Sequence, residues 1–553
     1  MTAAKNACCR QSTAHRAMEY GKNVTFSRKE GTYRNTGGLR TSAMPRGGWL
    51  LHRSRVGWKE VSLARLVMVS NRVIDFNVAQ QAGGVTVAIY NTLAQQNGFW
   101  FGWDGQIDDS DSPDIKVTSS DGHTTVTEPL TTDDYNEYYL GYSNSVLWPV
   151  FHNRLDLAQF EAGYYSRYVA VNERFARHLA PLIEPDDVIW VHDYHLLPMA
   201  LELRKLGIEN PIGYFLHIPV GPAQALLAIP ENKEIAKALS AYDLIGLQTQ
   251  SDVRNLIDFF QQSVFGRLLP SGRIRVFEAE LDIGCFPVGI DPADFAFGPG
   301  EAEALKAADM SEINRIIGID RLDYTKGLPQ KFKAYGRFLE EYPEYRRHIV
   351  LSQFAPPTRE SVEAYADIKA ELESLAGSIN GRFGELDWVP INYIHRTIPR
   401  AELRDVYRLS RIGWVTPLMD GMNLVAKEYI ACQDPADPGV LILSKFAGAA
   451  EQLSDAVLVN PYDLGDLVQG LRVALKMPLD ERRARHARLL DIVRKSDSND
   501  WSRSYFSALM KAGQRRLARA LKSSSEMGKA LERLQSTVKK NNPPSRFTAN
   551  VVT

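Results

Sequence analysis

The sequence predicts an α/β protein built from two doubly wound parallel sheets that face one another across a cleft. Short apolar runs alternate with longer amphipathic stretches, the pattern of parallel strands whose crossover helices cover both sheet faces. The alternation comes in two series, separated by a proline-marked break at residues 287–299. A chain of 553 residues, 44% hydrophobic and 24% charged, is long enough for two large domains of ordinary globular composition.

Residues 1–62 carry twelve Lys/Arg against three Asp/Glu, a net of +9, with no sustained apolar period. They are expected to form a disordered basic extension. An Arg-rich, acid-poor transit peptide or an over-long translation start fits the same composition. The first domain is assigned to residues 63–290. Its strands are 63–70 (LARLVMVS), 188–191 (VIWV), 212–216 (IGYFL) and 244–247 (LIGL), with helices at 156–180 and 249–262. The second domain, 291–475, has strands at 315–319 (RIIGI), 349–354 (IVLSQF), 413–415 and 440–443 (VLIL), and helices at 359–375 and 463–475. Charged amphipathic helices follow at 476–518, and 519–553 reads as a partly helical, then disordered tail.

Composition excludes several classes. The formal net charge is −1, so everything after residue 62 sums to −10, a poor surface for nucleic acid. No run approaches the ~18 apolar residues of a membrane span. Cys8 and Cys9 are adjacent while Cys285 and Cys432 stand alone, which makes neither a disulfide scaffold nor a zinc cluster and leaves the cytoplasm as the default compartment.

The chemistry gathers at strand ends. In 320–329 (DRLDYTKGLP), Arg321 and Lys326 lie where a strand turns into a helix, a site suited to a diphosphate. A salt bridge from Arg321 to Asp323 beside a solvated lysine is the competing explanation. In 416–428 (TPLMDGMNLVAKE), Asp420–Gly421 marks a turn and Asn423 a helix cap. Glu428 suits ribose hydroxyls, or merely complements the helix dipole as an exposed first-turn acid. In the first series Ser70–Arg72 ends a strand, and Gly83–Gly84 opens the next helix without a GxGxxG fingerprint. His192, Asp193, His195 and His217 follow strands, but neither HExxH spacing nor a convergent carboxylate accompanies them, so no metal is expected. The aromatic stripe 137–152 is core or a sugar platform. Arg359 is a strand-end cation or a helix-surface arginine. With no nucleophile motif in view, the pattern argues for group transfer from a nucleotide donor.

Blocks SNR (70–72), AGG (82–84), FWFGW (99–103), NEYYLGYSNSVLWPVFH (136–152), VIWVHDYHLLP (188–198), FLHIP (215–219), DRLDYTKGLP (320–329), DGMNLVAKEY (420–429) and LSKFAGAAEQL (443–453) resemble the trehalose-6-phosphate synthases, the retaining glycosyltransferases of family 20. The resemblance runs from about residue 63 to about 510. It implies the GT-B fold, two Rossmann-like doubly wound domains facing across a cleft, with the C-terminal helices returning to the first domain. It also implies transfer of glucose from UDP-glucose to glucose 6-phosphate with retention and no cofactor; no nucleic-acid or membrane partner is expected, and a homo-oligomer, dimer or tetramer, is left open.

By that resemblance Arg321 and Lys326 hold the donor diphosphate, with Gly84 adding a backbone N–H. Glu428 holds the ribose, with Leu424 and Val425 nearby, and Asp420, Met422, Asn423 and His217 hold the transferred glucose. Arg72, Tyr139 and Arg359 bind the acceptor phosphate, while Trp148 and Asp193 position its ring. Asp193, His217, Arg321, Lys326 and Asp420 form the catalytic group. The family pattern is broken at 220–230 (VGPAQALLAIP), where Gln224 replaces an expected Glu and Leu226 an aromatic; following His217, this segment is expected to border the cleft. The alternatives are a glucosylglycerol-phosphate synthase and a catalytically silent sugar-phosphate sensor. Removing residues 1–62 is expected to leave turnover unchanged, as a truncated chain assayed beside the full one will test.

Overall fold

The apolar runs become strands because their side chains are covered on both faces. Leu66, Val67, Met68 and Val69 in β1 (Leu66–Arg72) are all fully buried, as a central parallel strand requires. The structure, a computed structural model, describes residues 65–74, 89, 92–93, 98–110, 114–120, 123–298, 300–301, 305, 313–358 and 362–541. The 1–62 extension, Gly84 and Arg359 lie outside these residues.

After β1 come β2 (Gly98–Ile107), β3 (Lys116–Ser120), β4 (His123–Leu130), β5 (Val188–His192), β6 (Ile212–Phe215), β7 (Leu244–Leu247), β8 (Arg267–Leu268), β9 (Ile274–Val276) and β10 (Ala279–Cys285). They form one sheet in the order 3-4-2-1-5-6-7-10-9-8. β4, β2, β1, β5, β6, β7 and β10 run parallel, and antiparallel pairs join β3, β9 and β8 at the edges. The second sheet contains β11 (Asn314–Ile319), β12 (Ile349–Phe354), β13 (Ile391–Ile394), β14 (Ile412–Val415), β15 (Val440–Ser444) and β16 (Val457–Val459). It is wholly parallel, in the order 13-12-11-14-15-16. Counted from its own first strand that is the 3-2-1-4-5-6 order of a Rossmann sheet, and the first six parallel strands of the first sheet repeat it, with β10 added as a seventh. In such sheets ligands bind beyond the carboxyl ends of the strands, where the winding direction reverses. The reversals fall between β1 and β5 and between β11 and β14.

The aromatic stripe is neither simple core nor loop. Asp134–Leu147 winds as a wide π-type helix that passes into the short α-helix Trp148–Phe151. Asn144 Nδ2 donates to the Tyr139 carbonyl at 2.7 Å and Ser145 Oγ to the Leu140 carbonyl at 2.8 Å. Both acceptors lie five residues back, the reach of the wider turn, a form that recurs at functional sites.

The C-terminal helices divide their attachment. Leu479–Lys495 stays with the second sheet, where its His486 Nε2 meets the Ile430 carbonyl at 3.0 Å. Ser498–Asn541 crosses back and buries Trp501, Tyr505 and Leu509 against the first sheet, with Tyr505 Oη donating to the Tyr214 carbonyl at 3.0 Å. This helix has no boundary at 518, and the helical part of the expected tail runs long: it continues through 519–541, a stretch rich in Ala, Leu, Lys, Glu and Arg, and the first proline comes only at Pro543. The two chain crossings touch. Ser498 N donates to the Ile290 carbonyl at 3.2 Å, and a Cβ added at Gly289 would lie 2.2 Å from the Ser496 carbonyl oxygen. Among the described residues no helix is long and apolar enough to cross a membrane.

Leu509 of the return helix is fully buried. Leu509→Ala is therefore expected to cost about 3 kcal/mol of stability through the cavity it leaves, read from chemical denaturation.

Candidate active site

At the facing carboxyl edges of the two sheets lies a cleft of about 760 Å³. Arg72, Tyr139, Trp148, Asp193 and His217 line it from the first sheet, and Arg321, Lys326, Asp420, Met422, Asn423, Leu424, Val425 and Glu428 from the second. Of the residues singled out in the sequence, only Gly84 and Arg359 fall outside the described structure. The 220–230 segment does not line the cleft, contrary to expectation. Gly221 sits against the Val150 and Phe151 carbonyls, so the segment lies behind the Trp148–Phe151 turn, with Leu226 buried and Gln224 exposed.

The turn after β11 explains why its two cations differ. The Asp323 carboxylate is buried, accepting from Thr325 N at 2.9 Å and Tyr365 Oη at 3.0 Å. Arg321 is left exposed, with its guanidinium 5.6 Å from the Trp148 ring of the opposite half. Gly327, at φ 65°, takes the left-handed conformation that lets the chain enter the helix Leu328–Glu341. One residue earlier, Lys326 Nζ reaches Asp420 Oδ2 at 2.5 Å. Below this turn Lys331 Nζ, fully buried, bonds Asp320 Oδ2 at 3.2 Å and Gln353 Oε1 at 3.0 Å.

The loop after β14 carries the facing set. Asn423 caps the helix Leu424–Cys432, accepting from Ala426 N at 3.2 Å, and its amide donates to Asp420 Oδ2 at 3.0 Å. Burial alone would raise the Asp420 carboxyl; Lys326 and Asn423 override it and hold the group below its ordinary value. Glu428 is buried rather than an exposed first-turn acid, and its Oε2 accepts from Tyr407 Oη at 3.0 Å. Burial and the neighbouring Glu428 carboxylate push the Tyr407 phenol far up, so it remains a donor.

On the first sheet, Asp193 sits at φ 73°, a strained position for a non-glycine residue, and accepts from His217 N at 3.3 Å. His217 Nε2 meets His192 Nδ1 at 3.0 Å. Burial lowers His217 to about 3, and His152, whose Nδ1 meets the Trp148 carbonyl at 2.7 Å, to about 4. Both rings are neutral at physiological pH. Tyr139 stacks on His195 with centroids 5.8 Å apart, and its ring is 5.5 Å from Trp103, which lies 5.5 Å from the Arg72 guanidinium. Among the described residues no three His, Cys, Asp or Glu side chains gather as a metal site.

Sequence reasoning missed Tyr407, His152 and the floor pair Asp320–Lys331. His152 stood inside the quoted aromatic block. Tyr407 belongs to a helix, Arg400–Leu409, that the sequence reading had not separated, and nothing local tied it to Glu428.

Paired cations, a buried carboxylate with its tyrosine and an aromatic platform, set between two Rossmann-like sheets, define a GT-B glycosyltransferase. Comparison with known proteins gives the family. The profile of glycosyltransferase family 20 matches residues 59–511, and the chain belongs to that family. A trehalose-6-phosphate synthase of Cronobacter sakazakii is 44% identical over 465 residues, covering 83% of this chain and 98% of the relative. The solved structure of a UDP-forming α,α-trehalose-phosphate synthase from Burkholderia xenovorans in complex with glucose-6-phosphate is 43% identical with a TM-score of 0.76, over 81% of this chain and 100% of its own. An E. coli structure bound with UDP-2-fluoro glucose is 42% identical with a TM-score of 0.76, covering 80% and 98%.

Because burial keeps His152 and His217 unprotonated down to about pH 4 and 3, neither titrates between pH 5 and 9. His217→Asn is expected to lower kcat while leaving the pH positions of the kcat/KM limbs where the wild-type protein has them, as a profile across that range will test.

Proposed function

We propose that this chain transfers glucose from UDP-glucose to glucose 6-phosphate, giving α,α-trehalose 6-phosphate and UDP with retention at the donor carbon. The observation that carries this reading is the convergence in one cleft of Arg321, Lys326, Glu428 and Asp420 from one sheet with Arg72, Tyr139, Trp148 and Asp193 from the other. The names of the relatives, the glucose-6-phosphate bound in the Burkholderia xenovorans structure and the UDP-2-fluoro glucose bound in the E. coli structure support it.

In this scheme Glu428, oriented by Tyr407, accepts from the ribose hydroxyls. Arg321 and Lys326 hold the diphosphate. As the bond from the glucose C1 to the diphosphate oxygen breaks, these cations stabilise the charge left on UDP. The acceptor hydroxyl attacks from the face the diphosphate leaves, and its proton passes to the departing phosphate oxygen, so no protein nucleophile is required. Asp420 and Asn423 hold the transferred sugar, and neutral His217 adds an uncharged contact beside it. Arg72 and Tyr139 take the acceptor phosphate, joined by Arg359, while Trp148 and Asp193 orient the ring; Gly84 contributes its N–H to the donor phosphates. We place the reaction in the cytoplasm, in keeping with the free thiols of Cys285 and Cys432.

The test is UDP release from UDP-glucose with glucose 6-phosphate, with glycerol 3-phosphate, and with no acceptor. Release with glucose 6-phosphate alone is expected. Release only with glycerol 3-phosphate would reassign the acceptor, and UDP-glucose binding without turnover would mark a sensor. Arg321→Ala and Lys326→Ala are each expected to lower kcat about a hundredfold or more with the fold intact by circular dichroism; normal kcat in either would remove that residue from the diphosphate site.

A further inference from the structure

One contact between the two halves of the molecule plays no part in the scheme above. The helix Gln250–Val264 follows β7, and its cap Thr249 accepts only from Asp252 N, at 2.9 Å. The two preceding amides, orphaned as at any helix start, donate to a carboxylate from the other half. Gln250 N reaches Glu451 Oε2 at 2.9 Å, Ser251 N reaches Glu451 Oε1 at 3.2 Å, and Ser251 Oγ donates to the same Oε1 at 2.9 Å. A carboxylate is the group the helix dipole favours at this end.

Each side of this contact leads into the site. On the second sheet, Glu451 ends the short turn Gly448–Glu451, where Gly448 N donates to the Asp420 carbonyl at 3.1 Å and Ala449 N to the Met422 carbonyl at 2.8 Å. On the first sheet, Asp252 in the opening turn of the capped helix accepts from Val220 N at 2.7 Å, three residues beyond His217. The two branches meet again where Gly421 lies directly against the His217 carbonyl. The result is a closed ring, in which the Glu451 and Asp252 carboxylates bridge backbone segments, linking Asp420, Glu451, Asp252 and His217. Glu451 itself does not line the cleft.

We propose that Glu451 is a positioning residue for glucosyl transfer, its carboxylate clamping the first-turn amides of Gln250–Val264 so that His217 is held against the Asp420 loop. The inference rests on the function proposed above. It follows from the sensitivity of transfer to small misplacements of the groups around the reacting carbon. Because Glu428, Leu424, Val425 and Lys326 all belong to the second half, loss of the clamp disturbs the sugar side and leaves the nucleotide side intact.

Steady-state UDP release and calorimetric binding of UDP are to be measured for Glu451→Ala, Glu451→Gln and Ser251→Ala. Glu451→Ala is expected to lower kcat by roughly three- to tenfold, the scale of a lost charged helix cap, with UDP affinity changed less than twofold. Glu451→Gln, which keeps an amide oxygen as acceptor, is expected to recover part of the loss, and Ser251→Ala to show a smaller loss in the same direction. Wild-type kcat in Glu451→Ala, or UDP affinity falling in step with kcat, would overturn the proposal. Should Glu451→Ala fail to fold, unchanged kcat in Ser251→Ala would overturn it equally. A spin-label distance between the two sheets with UDP bound reads the clamp without turnover: widening in Glu451→Ala is expected, and an unchanged distance refutes it. If the wild-type protein binds UDP yet releases none, the proposed reaction falls while the distance still decides the clamp.

Discussion

The two halves of the active site meet backbone to backbone at Gly421. A Cβ placed there would lie 2.1 Å from the His217 carbonyl oxygen, a separation no side chain can occupy. Much of the site depends on that close approach. It brings the loop after β14, with Asp420 and Asn423, up to the loop after β6, with His217, at the facing carboxyl edges of the two sheets. A larger residue at 421 would prop the loops apart and separate two sets of side chains, neither of which is a complete site alone.

The charges of the site are arranged around the same meeting point, and burial makes their partners obligatory. Asp320 and Lys331 are both shut away from water; burial raises the Asp320 carboxyl and lowers the Lys331 ammonium, and each opposes the other's shift in part. Their bond anchors the start of the turn that presents Arg321 and Lys326. Higher up, Lys326 and Asp420 join the turn after β11 to the loop after β14. Lys427 is different: burial pushes it down to about 7, and its ammonium is held by the Val288 carbonyl at 2.7 Å and Gln452 Oε1 at 2.8 Å, neither of them a charge.

What could be read from the sequence was whatever is local in the chain. The strands 244–247 and 349–354 were legible to the residue, because continuous apolar runs bounded by polar turns have one natural reading in a doubly wound protein. The cap at Asn423 was legible from a short polar residue before an apolar helix. Other features depended on distant partners. The edge strands β3, β8 and β9 are too short or too polar to stand out. The π-type winding of Asp134–Leu147 has no periodic signature in so aromatic a stretch. Glu428 looked like an exposed first-turn acid because nothing near it in sequence announces Tyr407. The 220–230 segment follows His217 in the chain, yet the turn of Trp148–Phe151 stands between it and the cleft.

The side-by-side crossings at Gly289 and Ser496 give the molecule a mechanical character. The second sheet is inserted between β10 and the helix that covers the first, so the chain passes between the halves twice, and the two crossings touch each other. A pair of adjacent tethers behaves like a door hinge: it resists sliding and twisting but permits rotation about a line running through both. Lys427 fastens one tether, at Val288, to the helix that carries Glu428, and Val288 itself lines the cleft. The lining around Val288 and Glu428 therefore sits close to that line, where rotation displaces atoms least.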